Sequence, residues 1–230
     1  MTIEKLARQE GVSRATVARI LARAGLNRLS NLEPKPPVVR YEHRYPGSLV
    51  HLDIKKLGRF HRPGHRVTGR RGIQCRGAGW EYAHVAIDDH SRASWVDIQP
   101  DEKAASAWRS LLRVVRYFRS LGIHVERILT DNGMCYRSKA FARACRRLGI
   151  RHRFTKPYCP QTNGKAERFI QTALREWAYG HRYNTSQDRT RHLYHWLHWY
   201  NWHRPHGSLG NKPPVSRLGL SGDNLLRLHN

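Results

Sequence analysis

The sequence predicts an α/β fold: a mixed five-stranded sheet with flanking helices, preceded by a small helix-turn-helix. Three observations lead there. Apolar residues alternate with polar ones in short segments, the period of half-buried strands. Longer segments repeat their apolar residues at helical spacing. A proline-rich stretch, with Glu33-Pro34-Lys35-Pro36-Pro37 and Tyr45-Pro46-Gly47, separates a short helical start from the rest. That composition is a linker stiffened by proline. At 230 residues, the chain has room for one main domain and a small appendage. The divisions expected are 1–29 for the helix-turn-helix, 30–46 for the linker, 47–190 for the core, and 191–230 for a C-terminal helix and basic tail.

Residues 2–24 read as two short helices. Ile3, Leu6 and Ala7 form one apolar face, and Val17, Ile20 and Leu21 the other. Ala7, Gly11 and Val17 match the small, turn and core positions of a helix-turn-helix, and Ser13 can cap the second helix. Arg14, Thr16 and Arg19 then face outward, toward bases or phosphates. The alternative is an ordinary helical hairpin.

Strand one is expected at 49–56, with His51, Asp53 and Lys55 opposite Val50, Leu52 and Ile54. A basic, glycine-rich loop follows from Arg59 to Gly79, suited to phosphate contact or simply to solvent. Strands at 81–88 and 93–99 form a hairpin around Asp89-His90-Ser91-Arg92. A helix over 101–121 carries Trp108, Leu111, Leu112, Val115 and Phe118 on its core face, and Gly122 ends it. Strand four is expected at 125–131, a short helix with Phe141, Ala144, Cys145 and Leu148 at 138–148, and strand five at 150–155. A long helix over 162–179 buries Ala166, Phe169, Ile170, Ala173 and Trp177. Glu167 lies at the edge of that face, and Arg168, Gln171 and Arg175 just beyond it offer a row of DNA contacts. Leu193, Trp196, Leu197 and Tyr200 mark a last helix.

There are 42 Lys and Arg against 17 Asp and Glu, a formal charge of +25. Such a balance implies a polyanionic partner, nucleic acid first. The charge is spread over the whole chain, which argues against a disordered basic arm. Cys75, Cys135, Cys145 and Cys159 form no C-x-x-C pair, so a structural zinc is not expected. Unpaired cysteines suit a reducing cytoplasm. No apolar run approaches the ~20 residues needed to span a membrane, and Met-Thr-Ile-Glu-Lys is not a signal peptide.

Because acids are scarce, their placement is informative. Asp53 and Asp131 sit in or at the end of strand-like segments, and Glu167 on a helix, with 35 residues between Asp131 and Glu167. Two strand carboxylates and one helical one can converge on a pair of divalent metals, which clamp the attacking and leaving oxygens of a phosphodiester. The bland reading is three structural acids paired with arginines. Asp88 and Asp89 are expected to shape the hairpin turn, and Asn132-Gly133 a tight turn that presents Asp131.

Five segments carry a resemblance. They are His51-Leu52-Asp53-Ile54-Lys55-Lys56-Leu57-Gly58, Ala86-Ile87-Asp88-Asp89-His90-Ser91-Arg92, Leu129-Thr130-Asp131-Asn132-Gly133, Thr155 through Phe169, and a late element of Tyr200-Asn201, Arg204-Pro205-His206, Leu209-Gly210 and Pro213. In this order the chain resembles the integrase-core (DDE-type) transposases of bacterial insertion sequences, relatives of retroviral integrases, over about 47–215. The resemblance implies a ribonuclease-H-like fold. It implies that Asp53, Asp131 and Glu167 are catalytic and hold two Mg²⁺ (or Mn²⁺). It implies cleavage of transposon-end DNA, then attack of the freed 3′-hydroxyl on target DNA, by a homo-oligomer assembled on DNA in the bacterial cytoplasm. Lys55, Lys56, Asn163 and Lys165 are added candidates for DNA contact; no membrane or small-molecule substrate is expected. Two departures stand out. Relatives carry more chain before the helix-turn-helix, which fits a shortened copy here. Many place a basic residue seven positions after the glutamate, where this chain has Leu174 beside Arg175. The competing readings are an inactive or truncated helix-turn-helix regulator derived from a transposase, and a nuclease that cuts without joining.

Overall fold

The computed structural model describes residues 2–28, 41–63, 69, 78–156 and 163–220. Most of the expected linker and of the Arg59–Gly79 loop, Cys75, Cys159, and the last ten residues lie outside the described residues. The chain divides into two compact units, Met1–Tyr41 and Glu42–Asn230.

In the first unit, helix α1 spans Ile3–Gln9 and α2 spans Arg14–Arg23. Thr2 caps α1 and Ser13 caps α2, each side chain accepting a backbone N–H of the first turn. Gly11 takes a left-handed φ of 63° between them. Ala7 and Val17 are buried, as a small residue at a helix crossing requires. Ile20, expected on the apolar face, is 58% exposed; two helices this short cover only one residue each.

The second unit holds one five-stranded sheet: β1 (Val50–Arg59), β2 (Gly79–Asp88), β3 (Ser94–Gln99), β4 (Arg127–Thr130) and β5 (Arg151–Phe154), in the order β3-β2-β1-β4-β5. β1, β2 and β3 pair antiparallel, while β4 and β5 continue parallel from β1. Helices α3 (Ala104–Ser120) and α4 (Lys139–Arg147) cover one face. Helices α5 (Gly164–Ala173) and α6 (Ser186–Trp202) cover the other. Strand alternation sorts β1 between the two cores. Val50 and Leu52 join Leu111, Val114, Phe118 and Phe141 on the first face. Leu57 joins Val85, Phe169, Ile170 and Trp196 on the second.

Two expectations need correction. The core stripe of α3 is Ala107, Leu111, Val114 and Phe118, and Leu112 is exposed. These four recur at i, i+4, i+7 and i+11, so Leu112 falls off the stripe. The long helix also does not run as α-helix to residue 179. After Ala173 it widens into a π-turn, Leu174–Ala178, closed by the Tyr179 N–H on the Leu174 carbonyl at 2.9 Å. Trp177 is thereby buried, with its indole N–H donating to the Arg189 carbonyl at 2.8 Å. Gly180 ends the turn where a Cβ would lie 2.5 Å from the Arg175 carbonyl oxygen.

Candidate active site

Strand register brings the first two acids together. β1 and β4 pair through Val50–Ile128 and His51–Leu129. Asp53 and Asp131 each lie two residues further on, level on adjacent strands. Odd positions of β1 face α5, so Asp53 points to the side from which Glu167, in the first turn of that helix, projects. Burial pushes the Asp53 carboxyl up to about 6. The Ile54 N–H, donated at 2.7 Å, pulls it down, while the charges of Asp131 and Glu167 push it up and Lys55 opposes them. The three acids thus share one electrostatic neighbourhood, and Asp53 has no ion-pair partner among the described residues.

Asp131 follows the last residue of β4. Its Oδ1 accepts the Gly133 N–H at 3.0 Å, and the Gly133 carbonyl accepts from Tyr136 and Arg137. A Cβ at Gly133 would sit 3.0 Å from Asp131 Oδ1, so glycine lets the turn fold back on the carboxylate. Asp131 and Glu167 are both exposed. Among the described residues, no group of three or more His, Cys, Asp or Glu side chains is gathered closely enough to hold a metal ion. The donor set nonetheless fits a hard divalent cation in kind: carboxylate oxygens only, one of them half-buried and without an ion-pair partner among the described residues.

Behind the acids lies a buried polar network built from residues distant in sequence. Asp88 and Asp89 do shape the hairpin turn: Asp88 Oδ2 accepts from the Ser91 N–H and hydroxyl at 2.7 Å. They also reach much further. Asp88 Oδ1 accepts the Gly47 N–H at 2.7 Å. Asp89, fully buried, accepts from His51 Nε2 at 2.8 Å, Lys165 Nζ at 2.5 Å and the His43 N–H at 2.7 Å. Burial alone would raise its carboxyl; these three donors hold it well below the usual carboxylate range. His51 Nδ1 meets Asn163 Oδ1 at 3.1 Å, and Asn163 Nδ2 donates to the Leu52 carbonyl at 3.2 Å. One cluster therefore ties β1 beside Asp53, the end of β2, and the start of α5 beside Glu167.

This placement corrects one expected DNA contact. Asn163 is 4% exposed with both ends of its amide engaged, so it positions α5 rather than touching DNA. Lys165 is held by Asp89. Lys56 lies on the opposite sheet face from Asp53, its ammonium 4.2 Å from the Trp80 ring centroid. In the first unit Arg14 is ion-paired with Glu4, and the Thr16 hydroxyl bonds Ser13 Oγ at 2.9 Å. Lys55, Arg168, Gln171 and Arg175 are exposed on the Asp53 side of the sheet or on α5 and its π-turn, and Arg19 is exposed on α2. A buried ion pair, Arg189 with Glu81 at 2.7 Å, clamps α6 to β2 and was not foreseen.

The chain matches the Integrase core domain family model over residues 44–160, and a second Integrase core domain model over 148–214. Asp53 and Asp131 fall in the first match and Glu167 in the second. The chain is 36% identical over 109 residues to the retrovirus-related Pol polyprotein from transposon TNT 1-94 of Nicotiana tabacum, covering 47% of this chain and 8% of that protein. It is 33% identical over 86 residues to the putative transposase InsD for insertion element IS2E of Escherichia coli (strain K12), covering 37% of this chain and 39% of that protein. It thus spans well under half the length of either relative. Among solved structures, a chain of the simian T-cell lymphotropic virus intasome in complex with PP2A regulatory subunit B56 gamma superposes with a TM-score of 0.59 at 19% identity, over 96% of this chain and 76% of that one. The HTLV-2 integrase catalytic core domain in complex with magnesium superposes with a TM-score of 0.50 at 17% identity, over 76% of this chain and 97% of that one. Likenesses at such identity establish the fold, the expected ribonuclease-H-like core. With a family model matched across residues 44–160 of 230, the chain belongs to the integrase core domain family.

Proposed function

We propose that this chain is a DDE transposase of the insertion-sequence kind, which cleaves transposon-end DNA and joins the freed 3′-hydroxyl to target DNA. The observation that carries the reading is the parallel register that sets Asp53 and Asp131 level on neighbouring strands, with Glu167 on the helix covering that side. The E. coli relative named as an insertion-element transposase supports the same reading.

Asp53, Asp131 and Glu167 are the residues to hold two Mg²⁺ or Mn²⁺. Bound there, such ions lower the pKa of the attacking hydroxyl and stabilise the leaving oxygen. The protein supplies the rest. Burial on the β1 side keeps Asp53 fixed and partly dry. The Gly133 turn aims Asp131. The Asp89 network fixes the angle at which α5 presents Glu167. Lys55, Arg168, Gln171 and Arg175 surround the carboxylates as phosphate contacts, and Arg19 on α2 as a DNA contact of the first unit, used as a helix-turn-helix. In chemical balance, water replaces the 3′-bridging oxygen at phosphorus in the first step. In the second, the released 3′-hydroxyl displaces a bridging oxygen of the target strand, and no external energy source is consumed. Two ends must be held at once, so the active form is an oligomer on DNA.

The test is strand transfer with a labelled duplex of the element's own end and Mn²⁺. Wild type should yield products longer than the substrate, and Glu167→Gln none. Shortened products without longer ones from the wild type would support a nuclease instead. Equal products from both proteins would remove Glu167 from the site.

A further inference from the structure

Residues 132–156 contain eight Lys and Arg and no Asp or Glu. The structure gathers four of them on the outer side of one helix. Helix α4 buries Phe141 and Cys145 against the sheet. Its exposed side carries Lys139, Arg143, Arg146 and Arg147, which at 100° per residue fall within a stripe of about 100°. Strand β5, beside it, is the edge of the sheet, paired only with β4 among the described residues. Its exposed Arg151 and Arg153 alternate with His152, whose ring packs on Phe141 of α4, so they face the other side of the sheet. Of these six, only Arg151 has an acidic partner among the described residues, Glu126 at 3.9 Å. Elsewhere in the core, arginines with a structural role are paired: Arg92 and Arg217 with Glu42, Arg113 with Asp97, Arg189 with Glu81, Arg204 with Glu176.

Folding alone gives a weak account of this stripe. Arg146 and Arg147 in the last turn suit the helix dipole. Lys139 with Arg143, and Arg143 with Arg147, are like charges at i,i+4, which destabilise a helix. A polyanion laid across the stripe reverses that sign. We infer that the outer face of α4 is a contact surface for the phosphodiester backbone of duplex DNA, distinct from the residues around the carboxylates. The inference rests on the DNA-acting reading above and deepens it.

The surface also leads to the candidate site. Thr130 is paired with Phe154, the Thr155 N–H donates to the Thr130 carbonyl at 2.9 Å, and Asn132 Nδ2 donates to the Thr155 carbonyl at 3.1 Å. Strand β5 is therefore stitched to the turn that presents Asp131; the same turn leads directly into α4, so a duplex held along α4 runs toward the acids. Apart from its cations the α4 stripe exposes only Ala140 and Ala142. It offers no aromatic platform for unpaired bases and no large apolar side chain to enter a lipid surface. Guanidinium groups suit phosphate oxygens, and none of these positions selects a base sequence.

The test is binding of the full chain to a labelled 30-base-pair duplex of arbitrary sequence, with chelator present, across a salt series. The triple variant Arg143→Ala/Arg146→Ala/Arg147→Ala removes three phosphate contacts. The slope of log affinity against log salt should then shrink by about 2.7, at 0.9 per contact. Arg109→Ala/Arg182→Ala/Arg191→Ala removes the same charge elsewhere and should leave the slope nearly unchanged. Circular dichroism melts establish that both variants fold. Equal slopes for the two triples, or an unchanged slope for the α4 triple, overturn the proposal. So does an α4 triple that loses binding to single-stranded RNA or anionic vesicles while keeping duplex binding. No cutting takes place in this assay, so its outcome is separate from that of the strand-transfer test.

Discussion

Removing the Asp89 carboxylate should cost the core unit far more than an ordinary surface acid. In Asp89→Ala, Lys165 keeps its ammonium but loses the oxygen 2.5 Å away, His51 Nε2 loses its partner, and the His43 N–H is left without an acceptor. Breaking one side of a buried ion pair costs about 3–5 kcal/mol. The stranded N–H groups add to this, and Lys165 recovers part by reaching solvent, since its side chain is 20% exposed. A net loss of about 4 kcal/mol follows, close to a thousandfold in the folded-to-unfolded ratio. All seven tryptophans lie beyond residue 41, so tryptophan fluorescence reports the core unit alone. With a urea dependence of about 2.5 kcal/mol per molar, the midpoint should fall by about 1.6 M. Ser91→Ala, which leaves the Asp89 bonds in place, should cost about 1 kcal/mol. A loss below 1 kcal/mol in Asp89→Ala would refute the reasoning, because the network would then contribute no more than the desolvation it requires.

Further outcomes follow from the same geometry. Burial holds His152 and His206 at about 4 in the folded chain, while unfolded imidazoles protonate near 6.5. Their contribution is therefore complete above pH 6.5 and lost as pH falls toward 4; melting temperature should drop across that window, and a flat profile from pH 7 to 5 would contradict the assignment. Gly47 has φ 82°, and a Cβ there would lie 2.0 Å from the His124 carbonyl oxygen. Gly47→Ala should destabilise by about 3 kcal/mol or more, read in the same urea titration. Asp53 titrates at about 6, so Mn²⁺ affinity measured by calorimetry should rise with pH through that value, with proton release on binding. Affinity independent of pH between 5 and 7 would place the ion elsewhere.

Most of the sheet was legible because its strands alternate so regularly. β1 shows this best: His51, Asp53 and Lys55 on one side and Val50, Leu52 and Ile54 on the other, as the two cores require. Caps were legible too, since Ser13 and Gly11 have local causes. What escaped depends on contacts distant in sequence. Asn163 looked like a helix-start residue available to DNA, but its amide is turned to His51 and Leu52, more than 100 residues away. Nothing near Lys165 announces Asp89. The π-turn at Leu174–Ala178 likewise follows from how Trp177 docks on Arg189, which no helical periodicity encodes. The cations of α4 were visible in the sequence, but only the buried face of the helix shows that four of them share one outer surface.

The most direct test is conversion of supercoiled plasmid in Mn²⁺ by wild type and Asp131→Asn, with duplex binding measured on both. Wild type should nick or join the plasmid; Asp131→Asn should bind the duplex as wild type does and leave the plasmid supercoiled. Conversion by both proteins at equal rates would contradict the assignment of the chemistry to Asp53, Asp131 and Glu167.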